Sequence, residues 1–343
     1  MSSTRTVHLV GTIPAGSTRE AMALVVDRVG DRLGGHIPDG ETGNRSNWIN
    51  RLIESLRTHP DLELKRDGNW TSYTDTPAFR VRRGHRFRSV DLDYHDHFVD
   101  SWDEFEKVKR ELGRPDLSFQ VGIPGPIDVA FAAFGFNPVG GLRHARPFEE
   151  ATAEHIRRIH ERAGDQIVYQ LEIPIEVEMA IRMRFLGRPG IRWLAGRILD
   201  VVEAAPEGTR WGFHLCVGDL NHRSFSRLKD ATIPVRLANA LIARFPEGRR
   251  LEFVHMPFAH AVEPPTTDES FYAPLRDLAL HDGVRFAAGF VHEGQDLETQ
   301  RSIRETIERQ VGRPVDVAAA CGLGRRDLEH ARANLDLSRR LAE

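Results

Sequence analysis

Trp211-Gly212-Phe213-His214-Leu215-Cys216-Val217 is a short apolar run with a histidine and a cysteine at its downstream end, closed by Gly218-Asp219. A run of this length, rich in aromatic and aliphatic residues, reads as a strand buried on both faces, which is the signature of a parallel sheet. Similar runs stand at Val7 to Ile13, Gly35 to Pro38, Ser118 to Ile123, Gln166 to Ile173, Leu251 to Met256, Arg285 to Val291 and Val315 to Ala320. Stretches of helical period separate most of them: Thr18 to Leu33, Trp48 to Leu56, Ile191 to Ala204, Val235 to Ala243, Leu297 to Gln310 and Asp327 to Leu341. Strands alternating with helices in this number predict an α/β fold, a (β/α)8 TIM barrel. The chain of 343 residues is expected to form one such domain over residues 1–343.

One stretch breaks the alternation. From Pro60 to about Arg110 the chain is rich in Asp, Arg, His and Trp, as in Asp67-Gly68-Asn69-Trp70 and Arg82-Arg83-Gly84-His85-Arg86, and shows no long apolar periodicity. It is expected to be an insertion after strand 2, residues 60–110, lying over the barrel mouth as a lid.

Composition excludes several classes. Lys and Arg number 47 against 50 Asp and Glu, a formal net charge of −3, and the Arg157-Arg158 and Arg325-Arg326 pairs lack interleaved aromatics, so nucleic acid is not an expected partner. No apolar run is long enough to cross a bilayer, and no basic segment followed by a hydrophobic stretch opens the chain, so a cytoplasmic protein without membrane partners is expected. With 2 cysteines the chain is not a disulfide scaffold. The sequence carries no signal for oligomeric state.

Both cysteines instead sit at the ends of apolar runs, Cys216 after His214 and Cys321 in Ala319-Ala320-Cys321-Gly322. Two residues apart on a strand, His214 and Cys216 would leave the same face and could grip one ion. Zinc accepts this mixture of imidazole and thiolate, and three protein ligands leave a fourth position open. A buried free cysteine is most often just a small core residue, but in a barrel the site lies at the C-terminal ends of the strands. Other polar residues interrupt the apolar runs there: Glu41 after strand 2, Glu172 in strand 4, His255 in strand 6 and His292 in strand 7. Seven such residues on one rim are harder to explain as separate caps and core contacts.

The pattern resembles a known family, the catalytic C-terminal barrel of cobalamin-independent methionine synthase, within the superfamily that also holds uroporphyrinogen decarboxylase. The resemblance spans the chain and is carried by Val10-Gly11-Thr12, Gly40-Glu41, Gly125-Pro126, Leu171-Glu172-Ile173-Pro174, His214-Leu215-Cys216-Val217-Gly218-Asp219-Leu220-Asn221 and Cys321-Gly322-Leu323-Gly324-Arg325-Arg326. It implies His214, Cys216 and Cys321 as zinc ligands that activate a homocysteine-like thiol. The family's glutamate ligand falls near His255, with Glu252 the alternative three residues earlier. Two residues three apart on a strand should face opposite ways, which favours His255, nearer the rim. The resemblance also implies that Glu41 and Glu172 hold the amino group of the thiol substrate, and that Val10 and Thr12 contact its carboxylate. Three features depart from the family: no counterpart of its N-terminal half is present, no tryptophan follows the Gly-Pro turn where folate would stack, and Ala320 stands where an aspartate usually precedes Cys-Gly-Leu.

The expected activity is a zinc-dependent alkyl, specifically methyl, transfer from a small-molecule donor to a small thiol acceptor activated as zinc thiolate. Coordination removes the proton of a thiol that is otherwise held near pH 8.5. Two thiolate ligands keep electron density on the substrate sulfur, which favours attack on carbon over hydrolysis. His292 or Asp219 could protonate a leaving group. The alternative is a zinc-dependent lyase or hydrolase using zinc-bound water, with Glu41 or Glu172 as base.

Overall fold

The computed structural model describes residues 4–225 and 227–343. Its strands, in chain order, are β1 (Val7–His8), β2 (His36–Pro38), β3 (Leu62–Arg66), β4 (Ala78–Val81), β5 (Ser118–Pro124), β6 (Ile167–Glu172), β7 (Arg210–His214), β8 (Arg250–Pro257), β9 (Arg285–Val291) and β10 (Asp316–Ala319). Eight of them form one parallel sheet in the order β1-β10-β9-β8-β7-β6-β5-β2. The sheet curls until its edges meet: Val7 bridges Leu33 just ahead of β2, and Gly34 N–H donates to Val7 O at 3.3 Å. Parallel strands need crossover connections, and helices supply them around the outside, which makes the molecule a (β/α)8 barrel.

Local chemistry starts and stops these helices. Ser17, Asp296 and Asp327 cap Thr18–Val29, Leu297–Val311 and Leu328–Ala342 by accepting from backbone N–H groups of the first turn. Proline opens Pro126–Ala133, Pro138–Arg143 and Pro174–Arg182, where its missing N–H costs nothing. β8 is followed by only a single α-turn, Glu269–Tyr272, and a 3-10 turn.

Two expectations are corrected here. The run Val7 to Ile13 is a strand only at Val7–His8, because beyond it the Leu9 and Val10 carbonyls turn into the barrel and accept from the Gln120 side chain at 2.8 and 2.9 Å. The stretch 60–110 also divides in two. Its second half holds an 18-residue helix, Tyr94–Glu111, that belongs to the barrel's outer ring. The helix buries Tyr94, Phe98, Trp102, Phe105 and Val108, and its rings pack on Phe119 of β5. That 3.6-residue stripe is aromatic and set among acidic residues, so it does not read as an apolar run. What leaves the ring is the antiparallel hairpin β3–β4 and the loop between its strands.

The barrel interior is polar, layered along its axis. At the N-terminal end Arg210 pairs with Glu252 at 2.9 Å and Arg285 with Asp316. Above them the rings of His8, His36 and Phe253 cluster, with centroids 4.5 to 5.3 Å apart. At the C-terminal end Glu172, His214 and His255 stand side by side in register on β6, β7 and β8. Room for these side chains comes from glycines on the neighbouring strands: a Cβ on Gly289 would lie 2.7 Å from His255 Nε2, and one on Gly122 2.7 Å from Glu41 Oε1 and 3.2 Å from Glu172 Oε1.

Candidate metal centre and active site

His214 is the last residue of β7, and Cys216 lies beyond the strand. The two do not share a strand face as the spacing suggests. The chain turns sharply, with Cys216 N–H donating to His214 O at 2.9 Å, and it is this turn that brings the thiol back beside the imidazole. Cys321 arrives from the loop after β10, its Sγ 3.8 Å from Cys216 Sγ. The ligand atoms of His214, Cys216 and Cys321 lie within 4.8 Å of one another.

The imidazole is oriented by a hydrogen-bond chain. His255 Nε2 is 3.0 Å from Ala319 O, which can only accept, so Nε2 carries the proton and His255 Nδ1 is left as acceptor. His214 Nδ1 lies 2.7 Å from it and must therefore donate. The remaining nitrogen, His214 Nε2, is buried, unprotonated and without a partner among the described residues. Burial pushes both histidines down, His214 well below its ordinary value with help from the His255 charge, and His255 to about 4, so both are neutral at pH 7. The donor set fits zinc. A lone pair stands unused on His214 Nε2, and two sulfurs each 2.3 Å from one tetrahedral zinc would stand about 3.8 Å apart, as these do.

His255 is not placed as a ligand, since both of its nitrogens are engaged. Nor is Glu252, which sits at the opposite end of the barrel between Arg210 and Arg250. The expectation that the two face opposite ways fails for a local reason: the register slips between Trp211 and Gly212, opposite Glu252, and a bulge reverses strand parity. His255 instead holds the tautomer of His214 from behind. Accordingly, His255→Ala is expected to loosen zinc by roughly 10- to 100-fold. His255→Gln, which retains an acceptor, should lose less, and a chelator competition giving Gln and Ala equal losses would contradict this role.

A cavity of about 140 Å³ opens on the two thiols. Val10, Thr12, Glu41, Glu172, Cys216, Asp219 and Cys321 all line it, so the structure brings these expected site residues together. Val10 O accepts from Gln120 and Gln170, and Thr12 Oγ1 accepts from Gly324 N–H at 3.2 Å, which ties the Cys321 loop to the start of the chain. Glu41, at a positive φ of 44°, and Glu172 both press on Gly122. Burial and then the neighbouring Glu172 push Glu41 well up, and burial and then Cys321 push Glu172 to about 8.

His292 is not brought to this cavity. Its Nε2 lies 3.0 Å from Ala261 O and its Nδ1 accepts from Gly294 N–H, so the ring is spent on holding loops. Asp219 reaches the cavity and contacts His222 Nδ1 at 3.2 Å.

Sequence reasoning passed over other lining residues. Arg325 belongs to the Cys321 motif, and its charge draws the raised Glu41 and Glu172 carboxyls back down. Asp128, in the first turn after Gly125-Pro126, accepts from Ile175 N–H at 2.7 Å. Trp70 and Tyr73 come from the hairpin loop. Tyr73 Oη accepts from Leu220 N–H at 2.8 Å and donates to Arg223 O, while Asn221 donates to Trp70 O at 2.6 Å, clamping the loop onto the segment after Cys216. Only the Asp-Gly-Asn-Trp turn hinted at them.

No family model matches the sequence, and no curated protein matches it. Solved structures do. A protein of Listeria monocytogenes assigned as a vitamin-B12 independent methionine synthase superposes with a TM-score of 0.60 at 12% identity, covering 100% of this chain and 98% of that one. A B12-independent methionine synthase from Shewanella sp. W3-18-1, in complex with selenomethionine, gives 0.58 at 13% identity over 100% and 96%. A methyltransferase from Methanosarcina mazei gives 0.53 at 13% identity over 98% and 94%. At such identities the likeness establishes a common fold over the full length, and that fold is the one the sequence motifs resemble.

Proposed function

We propose that this protein is a zinc-dependent methyltransferase acting on a small amino thiol. The observation that carries the reading is the gathering of the His214 imidazole, whose Nε2 is buried without a partner among the described residues, with two thiols 3.8 Å apart at the wall of a cavity that also holds two carboxyls. Zinc held by His214 Nε2, Cys216 Sγ and Cys321 Sγ would supply the charge that lets a substrate thiol lose its proton near neutral pH.

The protein's own groups do the rest. His214 presents a bare nitrogen because His255 and Ala319 O fix its tautomer. The facing Cys321 sulfur and burial push the Cys216 thiol well up, and Gly218 N–H, donating to Cys216 Sγ at 3.2 Å, partly offsets that rise. Glu41 and Glu172 would accept from the substrate ammonium, and Arg325, which lines the same cavity, would meet its carboxylate, so that a zwitterion is held by both ends. Trp70 and Tyr73 cover the cavity and exclude water. A thiolate-rich donor set suits a sulfur nucleophile better than hydroxide chemistry, and the solved neighbours described as methionine synthases and a methyltransferase agree with that direction.

The test is thiol binding as a function of pH. In the ligand-free site burial holds Glu172 up at about 8 and pushes Glu41 well above its ordinary value, so at pH 6 Glu172 is neutral and an ammonium gains little from it. Binding must expel a proton, and its cost falls as pH rises toward the pKa of the free carboxyl. The preference for homocysteine over its deaminated counterpart should therefore grow between pH 6 and 8, by up to about tenfold per pH unit. Calorimetry in buffers of different ionisation heat would read the released proton, while the absorption of a cobalt-substituted centre reports the sulfur. A preference flat with pH would exclude the carboxyls, and an unchanged cobalt spectrum would exclude the thiol.

A further inference from the structure

Beyond the acceptor, the cavity carries information about the donor. Past the two thiols its wall is aromatic: Trp70 and Tyr73 from the hairpin loop, Phe225 from the segment after Cys216, and Phe136 from the turn after helix Pro126–Ala133. Tyr73 and Phe225 have ring centroids 4.6 Å apart, and Phe136 and Phe225 5.8 Å, so the rings form a continuous surface. Among the described residues, the same cavity holds the carboxyls of Glu41, Glu172, Asp128 and Asp219 against the single guanidinium of Arg325. A zwitterionic acceptor is neutral overall and leaves that excess of acid in place. Asp128 lines the cavity together with these rings. It is 3% exposed and is backed by Glu176, 1% exposed, whose Oε2 has no partner among the described residues. Burial and the adjacent Glu176 push the Asp128 carboxyl well up, the condition of a group that would ionise once a cation arrived.

The leaving group bears on the same question. His292 is spent on Ala261 O and Gly294 N–H and does not reach the cavity. A positively charged donor places no demand on an acid, because its leaving group departs neutral.

We propose that the methyl donor is an onium compound, a sulfonium or quaternary ammonium, bound by its cationic head against Trp70, Tyr73 and Phe225 and beside the carboxyl of Asp128. Rings with a negative face attract such heads without needing a hydrogen bond from them. The acceptor sulfur, as thiolate, forms a bond to the methyl carbon while the carbon–sulfur or carbon–nitrogen bond of the onium breaks. The electron pair of the broken bond stays on the departing sulfur or nitrogen, giving a neutral thioether or tertiary amine, with no proton, oxidant or reductant required. The inference rests on the transferase reading above for its reaction, but not for its binding step.

The zinc-loaded full-length protein would be titrated calorimetrically with choline and with 3,3-dimethyl-1-butanol, its neutral isostere. Choline should bind tighter by roughly tenfold or more. Trp70→Leu and Phe225→Leu should each shrink that ratio, and Asp128→Asn should shrink it further. Trp70 and Phe225 are only half-buried, so at least one of these variants remains folded as a control. Trimethylsulfonium supplied with homocysteine should then yield methionine and dimethyl sulfide. Equal binding of choline and the alcohol, or a ratio untouched by all three substitutions, overturns the cation site. Cation binding with no methyl transfer from trimethylsulfonium overturns the donor assignment. If homocysteine leaves a cobalt-substituted centre unchanged while choline binds selectively, the transferase reading fails and the cation site stands. If homocysteine ligates the metal and choline shows no preference, the inference alone fails.

Discussion

Cys321→Ser is expected to strip zinc from the protein while leaving the barrel folded. The wild-type protein should purify with about one zinc per chain, because three donors on rigid strand ends bind the metal tightly at neutral pH. Cys321 lies after β10, partly exposed, and its sulfur contacts Cys216 rather than the packed core. A serine hydroxyl is the same shape but does not ionise near neutral pH, so the site keeps its geometry and loses a thiolate. The loss of a direct ligand should exceed the 10- to 100-fold expected for an outer hydrogen-bond partner, while the thermal midpoint of the metal-free protein stays close to that of metal-free wild type. Cys216→Ser should have the same effect on metal but a larger one on stability, since Cys216 is buried and accepts from Gly218 N–H. Metal analysis, a chelator competition and a circular-dichroism melt would measure all three. Full zinc occupancy in Cys321→Ser, or none in wild type prepared without chelator, removes the metal from the argument.

The second large effect is on substrate charge. Glu41→Gln and Glu172→Gln should each weaken homocysteine by roughly 10- to 100-fold, the range of a charge-assisted hydrogen bond in a buried site. The deaminated thiol should be unaffected, or should bind better, because the amide removes a repulsive neighbour. The same substitutions should move stability the other way. A carboxyl whose pKa is raised by folding favours the folded state at low pH, and that contribution is lost as pH climbs from its ordinary value through the raised one. For Glu172 this window runs from 4.5 to about 8. The empty wild-type protein should therefore lose more thermal stability between pH 5 and 9 than Glu172→Gln does. If both variants keep the wild-type preference for the amine, the two acids do not hold it, whatever the metal does.

The elements that were legible in the sequence are those whose signal is local. β9 runs from Arg285 to Val291 as the apolar run predicts, and helix Leu328–Ala342 begins one residue beyond the expected start, where Asp327 caps it. Helix Tyr94–Glu111 was not legible, because its buried stripe is made of aromatic rings separated by acids and has low mean hydropathy. His214, Cys216 and Cys321 could be singled out because few other roles suit two isolated thiols and an imidazole at strand ends. The state of His255 could not be read from its spacing. It depends on which carbonyl faces its Nε2, and Ala319 lies on the other side of the barrel wall in sequence terms.

By itself the sequence determined the order of strands and helices, hence the barrel, and the residue types available at its rim, because alternation of buried runs and amphipathic periods is a property of neighbours along the chain. Only the tertiary structure decided which of those residues meet. Closure of the sheet set Cys321 against Cys216, a bulge opposite Glu252 and a turn after His214 aimed the side chains, and a docked hairpin brought Trp70 and Tyr73 over the thiols. Hydrogen-bond partners and electrostatic shifts arise from atoms far apart in the chain, and a linear pattern carries no record of their distances.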